Sequence, residues 1–128
     1  MEKLYTKITI IAVITFIVIL LLGNEIIRFS FMSYTVNKLT IKQIEVMKSK
    51  FIAYIFPLNA EEDFKPILVS LRKEHKKARH IVYAYRINTK SKSCDDGEPK
   101  GTAGHPLLEL LYKKDINNVA FLVVRYFG

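Results

Sequence analysis

The chain has 128 residues, half of them hydrophobic, and its 20 lysines and arginines against 12 acidic residues give a formal net charge of +8. This length suits one small domain rather than two, and the single cysteine excludes an internal disulfide, as is usual for proteins of a reducing compartment. The positive balance favours acidic partners, including RNA and ribosomal surfaces, through sequence-independent attraction.

The first 32 residues are an apolar N-terminal segment, which we expect to form a helix. Its uncharged run, residues 8–22, would span roughly 22 Å at about 1.5 Å per residue, less than a bilayer core of about 30 Å unless it extends to Ile27. Residues 8–27 would then be a single-pass membrane anchor, and nearby basic residues favour a cytoplasmic C-terminal domain. Alternatively, translation starts at Met32 and the upstream residues are a miscalled extension.

Residues 33–128 form the domain, and they carry +7 of the net charge because the first 32 residues contribute only +1. Residues 36–45 and 50–56 are rich in β-branched and aromatic residues and predict two adjacent strands. A helix that starts at Asp63 follows, since its apolar residues recur at the i, i+3, i+4, i+7 spacing. The end of this helix is strongly basic, which predicts either a nucleic-acid-binding patch or an ordinary solvated helix end. Its basic residues are Arg72, Lys73, Lys76, Lys77 and Arg79.

In the second half of the domain, the residue pattern predicts a third strand over 81–87 and a mobile polar loop over 88–93. A helix that starts at Pro106 follows, and then an almost wholly apolar central strand over 119–126. The element order is therefore ββαβαβ. We predict an α/β fold of the two-layer α+β kind, with both helices on one face of the sheet.

An acidic, glycine-rich loop precedes the second helix. Its glycines permit positive φ or close backbone approach, and the start of a helix offers free N–H groups to a phosphate or carboxylate. A plainer interpretation is that Thr102 caps the helix and the glycines only make a tight connection. Asp95, Asp96 and Glu98 have the chemistry of cation ligands, but their spacing fits no EF-hand. We assign no metal, cofactor or catalytic residue.

Five sequence blocks in order point to a known family. They are residues 48–54 (KSKFIAY), 80–86 (HIVYAYR), 95–99 (DDGEP), 101–104 (GTAG) with Pro106, and Asn118-Val119 with 125–128 (RYFG). Over about residues 33–128 the chain resembles the IMPACT/YigZ family. The resemblance implies a fold like the second domain of ribosomal protein S5 and a role in translation. It also implies that this chain is truncated at its C-terminus, because relatives continue beyond the last block.

We therefore predict a non-catalytic binding module that regulates translation through protein or ribosome/RNA contact. Beside the basic helix end, the predicted binding residues are Asp95, Asp96, Gly97, Glu98, Gly101, Thr102, Gly104, His80, Arg125 and Tyr126. Two alternatives stay open: a hydrolase-like enzyme that uses the acidic loop with a metal or with His80 as general base, and a membrane-anchored fragment without activity. A cleft on which the carboxylates and His80 converge would favour the enzyme, and a flat basic face would favour binding.

Overall fold

The computed structural model describes residues 26–29, 33–36 and 38–127. Strands β1 (Ile26–Phe29) and β2 (Ser33–Val36) form an antiparallel hairpin, in which Ile26 lies opposite Val36. The rest of the described chain contains, in order, β3 (Thr40–Val46), β4 (Ser49–Pro57), a 3₁₀ turn (Glu61–Asp63), α1 (Phe64–Glu74), β5 (His80–Ile87), β6 (Lys90–Cys94), α2 (Gly104–Lys113) and β7 (Val119–Tyr126).

Strands β3 to β7 form one antiparallel sheet in the order β3-β4-β7-β5-β6. Central β7 pairs with β4 on one side and with β5 on the other, which confirms that the most apolar strand is central. Met47 and Lys48, both at positive φ, make the two-residue turn between β3 and β4. Two positive φ angles are the geometry of a type I′ turn, whose twist matches that of a hairpin.

The two helices cover opposite faces of the sheet, so the prediction that both lie on one face is wrong. Phe121 and Val123 of β7 pack with Leu107 and Leu111 of α2 in one core. The alternate β7 residues, with Leu122 among them, pack against α1 in a second core. Successive side chains of a strand point to opposite faces, so strands that are apolar at consecutive positions must be covered on both. The mixed α+β class itself is confirmed, with three layers in place of two.

The predicted order ββαβαβ lacks strands that the structure contains, β1, β2 and β6. Residues 88–93 were expected to be a loop, but most of them form β6, an edge strand that pairs with β5. Its alternating lysine and serine residues carry no apolar pattern, and lysines on an edge strand discourage pairing with other chains. The predicted strand over 36–45 begins only at Thr40, because residues 33–36 belong to β2.

The predicted apolar N-terminal helix lies mostly outside the described residues, and so do the two interpretations attached to it. Ile26 and Ile27, which the longest version of that helix would include, lie in β1 instead. Within the part of the chain that the structure describes, no helix is long and apolar enough to cross a membrane.

Candidate functional site

The loop between β6 and α2 is organised by the carboxylate of Asp95. One oxygen accepts the backbone N–H of Gly104 at 2.8 Å and that of Ala103 at 3.2 Å, and the other accepts the N–H of Gly101 at 2.8 Å. The first donors of α2 are therefore already bonded to an anion of the protein itself, as a helix start requires. Asp95 thus performs the capping role predicted for Thr102, and it occupies the position predicted to attract a phosphate.

The C-terminal part of this loop is packed against the sheet. The hydroxyl of buried Thr102 donates to the carbonyl oxygen of Pro99 at 2.5 Å. A Cβ on Gly104 would lie 2.6 Å from the backbone nitrogen and oxygen of Cys94, so this glycine is required by close approach rather than by φ. Gly97 and Gly101, at φ +87° and +75°, are the glycines of this loop that adopt positive φ.

His80 and Asp96 fasten the loop to the start of β5. Nδ1 of His80 donates to the carbonyl oxygen of Asp96 at 2.6 Å, because a carbonyl can only accept. The carboxylate of Asp96 accepts the backbone N–H of Ile81 at 2.7 Å. A Cβ on residue 97 would lie 3.1 Å from the imidazole ring of His80, so the glycine at this position also makes room for that ring. These contacts hold His80 in one orientation, with Nε2 turned toward the carboxylate of Glu98.

Glu98, His80 and Arg125 converge on one point. Oε1 of Glu98 accepts a 2.7 Å hydrogen bond from Nη1 of Arg125 and lies 3.8 Å from Nε2 of His80. The Glu98 side chain is only 4% exposed, and Nε of Arg125 is buried without a partner among the described residues. A charge buried to this extent must be paired, and removal of either partner leaves a costly unpaired charge. The carboxylate is thus closed off by Arg125 and does not face an open cleft.

The loop carboxylates also have the chemistry of cation ligands. Residues 26–29, 33–36 and 38–127 contain no group of three or more histidine, cysteine, aspartate or glutamate side chains that could hold a metal ion. Asp95 and Glu98, two of the predicted candidate ligands, are instead bonded to backbone N–H groups and to a guanidinium.

The exposed ring of Phe127 lies beside Glu98 and His80, between the exposed guanidinium of Arg79 and the largely buried guanidinium of Arg125. The ring of Phe127 is half exposed, with the guanidinium of Arg125 at 4.4 Å and that of Arg79 at 5.1 Å from its centroid. The ring of His80 meets the same phenyl ring edge-on at 6.0 Å. We call Arg79, Arg125 and Phe127 the cation–aromatic surface. Phe127 belongs to the terminal RYFG block, although it is not among the individually predicted binding residues.

Tyr126 lies on the α1 face, at the end of β7. Its hydroxyl is 2.5 Å from Nδ1 of His75, whose Nε2 is 2.7 Å from the hydroxyl of Tyr54, so His75 ties the end of α1 to two strands. The ammonium group of Lys50 lies 4.6 Å from the centre of the Tyr126 ring. Tyr126 therefore offers its ring to a cation, while its hydroxyl is engaged inside the fold.

The basic helix end adjoins the loop. Nη2 of Arg72 is 3.9 Å from Oδ1 of Asp96, and the backbone N–H of Arg79 donates to the carbonyl oxygen of Arg125 at 2.8 Å. The structure thus brings the predicted loop residues, the end of β7 and the end of α1 together. All five predicted basic residues are exposed: Arg72, Lys73, Lys76, Lys77 and Arg79.

Burial raises the pKa of three tyrosines on the α1 face: Tyr54, Tyr83 and Tyr85. Burial raises the pKa of Tyr83 to about 12, with a further contribution from Cys94, which lies opposite it in the β5–β6 pair. Burial, and then the negative charge of Glu74, raise the pKa of Tyr54. None of these phenols can supply a phenolate near neutral pH, so these groups act here as packed hydrogen-bonding side chains.

The sequence and the fold both match known proteins. The family model described as the Impact N-terminal domain matches residues 47–128. The IMPACT family member YvyE of Bacillus subtilis is 36% identical over 98 residues, which cover 74% of this chain and 45% of that protein.

Two solved structures are also similar. A crystal structure described as that of a hypothetical protein has a TM-score of 0.69 at 33% identity, over 72% of this chain and 47% of that one. The two-domain translational regulator Yih1 has a TM-score of 0.50 at 26% identity, over 82% of this chain and 42% of that one. The chain spans less than half the length of these relatives. With a family model that matches most of its length, the chain belongs to the IMPACT family.

Proposed function

We propose that this domain is a non-catalytic binding module that acts in the regulation of translation, and that it contacts ribosomal RNA through the cation–aromatic surface and the adjoining basic helix end. The likeness to Yih1, which is itself a translational regulator, supports the biological context. The contact mode rests on one observation: the half-exposed ring of Phe127 lies against two guanidinium groups, Arg79 and Arg125.

Aromatic and cationic groups in this arrangement suit nucleic acid for a physical reason. The exposed ring of Phe127 provides a face on which a base can stack, and the exposed guanidinium of Arg79 with the neighbouring lysines attracts the phosphates, while Arg125 stays paired with Glu98. A concentration of positive charge adjoins this surface, because the five exposed basic residues of the helix end lie within the eight positions from Arg72 to Arg79. Neither contribution reads base identity, so we expect binding that depends on salt far more than on sequence.

The test uses the whole chain. Binding to a labelled oligouridine is followed by the label, and binding to ribosomes is followed by co-sedimentation. Phe127→Ala should weaken oligouridine binding by about 1–3 kcal/mol, the usual contribution of one stacked base. Charge reversal of Lys73, Lys76 and Lys77 should reduce the salt slope by about 2, because each lost phosphate contact on a single strand contributes about 0.7.

Two matched controls separate the surface from general effects. Tyr112→Ala removes an aromatic ring of α2 that is 46% exposed, close to the 50% of Phe127. Lys113→Glu and Lys114→Glu reverse exposed charges at the end of α2. Equal losses in the controls and in the surface variants would contradict the proposal. Tighter binding to polyglutamate than to oligouridine would instead assign the surface to an acidic protein.

The hydrolase-like alternative is supported only by the convergence of His80 and Glu98. The 2.7 Å contact with Arg125 occupies the carboxylate that a general base or a metal would need. We therefore prefer the binding module.

A further inference from the structure

An apolar groove runs along the α1 face of the sheet, between edge strand β3 and helix α1. It encloses about 420 Å³, and the described residues that line it are mainly apolar, with Glu74 the one charged residue among them. Ile41 pairs with Tyr54 across the two strands, which places it on the floor of the groove. The opposite wall is the α1 side chains Pro66, Ile67 and Leu71.

The β3 side of this groove is left uncovered by the described residues. Leu39 is 44% exposed and Ile41 is 50% exposed, although both line the groove. Exposed aliphatic side chains at the edge of a sheet favour association with any apolar segment that lies nearby. The groove is therefore suited to an apolar occupant.

The β1–β2 hairpin limits how far from the groove the upstream chain begins. Val36 is only three residues before Leu39 at the groove, and three residues of chain reach at most about 11 Å. Ile26 lies directly opposite Val36, at the roughly 5 Å spacing of paired strands. The chain upstream of Ile26 therefore leaves the hairpin within about 16 Å of Leu39.

That upstream chain contains residues 8–22, fifteen consecutive residues without a charge. Their last residue is four positions before Ile26, a gap that extended chain crosses in about 14 Å. The geometry points to residues 8–22 of the same chain as the occupant, with some of their aliphatic side chains buried between Ile41 and α1. This inference is independent of the proposed function, because it concerns a different surface.

Cysteine labelling tests the inference in the whole chain. In a Cys94→Ser background, Ile41→Cys and Tyr112→Cys give one thiol each at positions of nearly equal exposure, 50% and 46%. We expect a maleimide dye to label position 41 several-fold more slowly than position 112. Phe16→Asp with Leu20→Asp should raise the rate at position 41 to that at position 112, because charged residues would leave the groove. Equal rates in the parent chain would overturn the inference.

A second measurement separates this contact from contact between copies. In the same background, Leu20→Cys with Ile41→Cys should form an intramolecular disulfide under mild oxidation, seen as a monomer of altered mobility on a non-reducing gel. A disulfide-linked dimer would overturn the inference in favour of a second copy as the occupant. A native N-terminal peptide that starts at Ser33 would also overturn it, because the occupant would not exist.

Discussion

Replacing Asp95 by alanine should weaken the fold by several kcal/mol, because its carboxylate organises the start of α2. The substitution leaves the N–H groups of Gly101, Ala103 and Gly104 without their acceptor. A hydrogen bond to a charged group contributes about 1.5–3 kcal/mol, and loss of a helix cap costs about 0.5–2 kcal/mol. These effects overlap at α2, so we expect a loss of about 3–4 kcal/mol from a total stability on the order of 5–15 kcal/mol.

Urea unfolding followed by circular dichroism measures this loss directly. With a denaturant slope of about 1–3 kcal/mol per molar, the midpoint of Asp95→Ala should fall by at least about 1 M. Asp63→Ala is the matched control: Asp63 precedes α1 but its side chain makes no capping hydrogen bond, so its loss should stay within about 0.5 kcal/mol. Asp95→Asn should fall between the two, because the amide keeps one acceptor oxygen. If Asp95→Ala unfolds at the same midpoint as Asp63→Ala, the capping role assigned to Asp95 is wrong.

Two further changes test the packing around the loop. Gly104→Ala should cost about 1–3 kcal/mol, because its Cβ would lie 2.6 Å from backbone atoms. Gly101→Ala, with no atom within 4 Å and only positive φ against it, should cost about 1 kcal/mol, so similar melting temperatures for the two variants would refute the steric reason. Tyr83, whose pKa rises to about 12, should contribute stability that is complete below about pH 10 and is lost as the pH rises toward 12. The stability difference between wild type and Tyr83→Phe should thus change by up to about 3 kcal/mol across that range, and a constant difference would exclude the shift.

Local patterns predicted the regular elements well. The apolar run Val119–Tyr126 was predicted as a strand with the bounds that the structure has, and Phe64 and Leu71 of the amphipathic helix are buried as expected. The family blocks also identified the loop and the end of β7, which the fold brings together through the Glu98–Arg125 contact. For the strand and the helix the signal is a residue pattern that the local backbone geometry requires, whereas for the loop it is the resemblance to a family.

Features that depend on distant partners could not be predicted. Periodicity shows that α1 and α2 each have an apolar side, but not which face of the sheet each side covers. Strand β6 has no apolar alternation, and its position is fixed by backbone pairing with β5. At the site, sequence cannot show whether a carboxylate faces solvent or a guanidinium. Asp95 and Glu98 therefore looked like ligand-binding groups, while the structure bonds both of them within the domain.

The order of strands in the sheet has a consequence for folding during synthesis. Strand β7 joins the β3–β4 hairpin to the β5–β6 hairpin, yet it follows both of them in the chain. Until its residues leave the ribosome, β4 and β5 each present an unpaired inner edge made largely of apolar residues. Unpaired edges of this kind template aggregation, so the nascent chain passes through a vulnerable interval that ends only when β7 inserts between them.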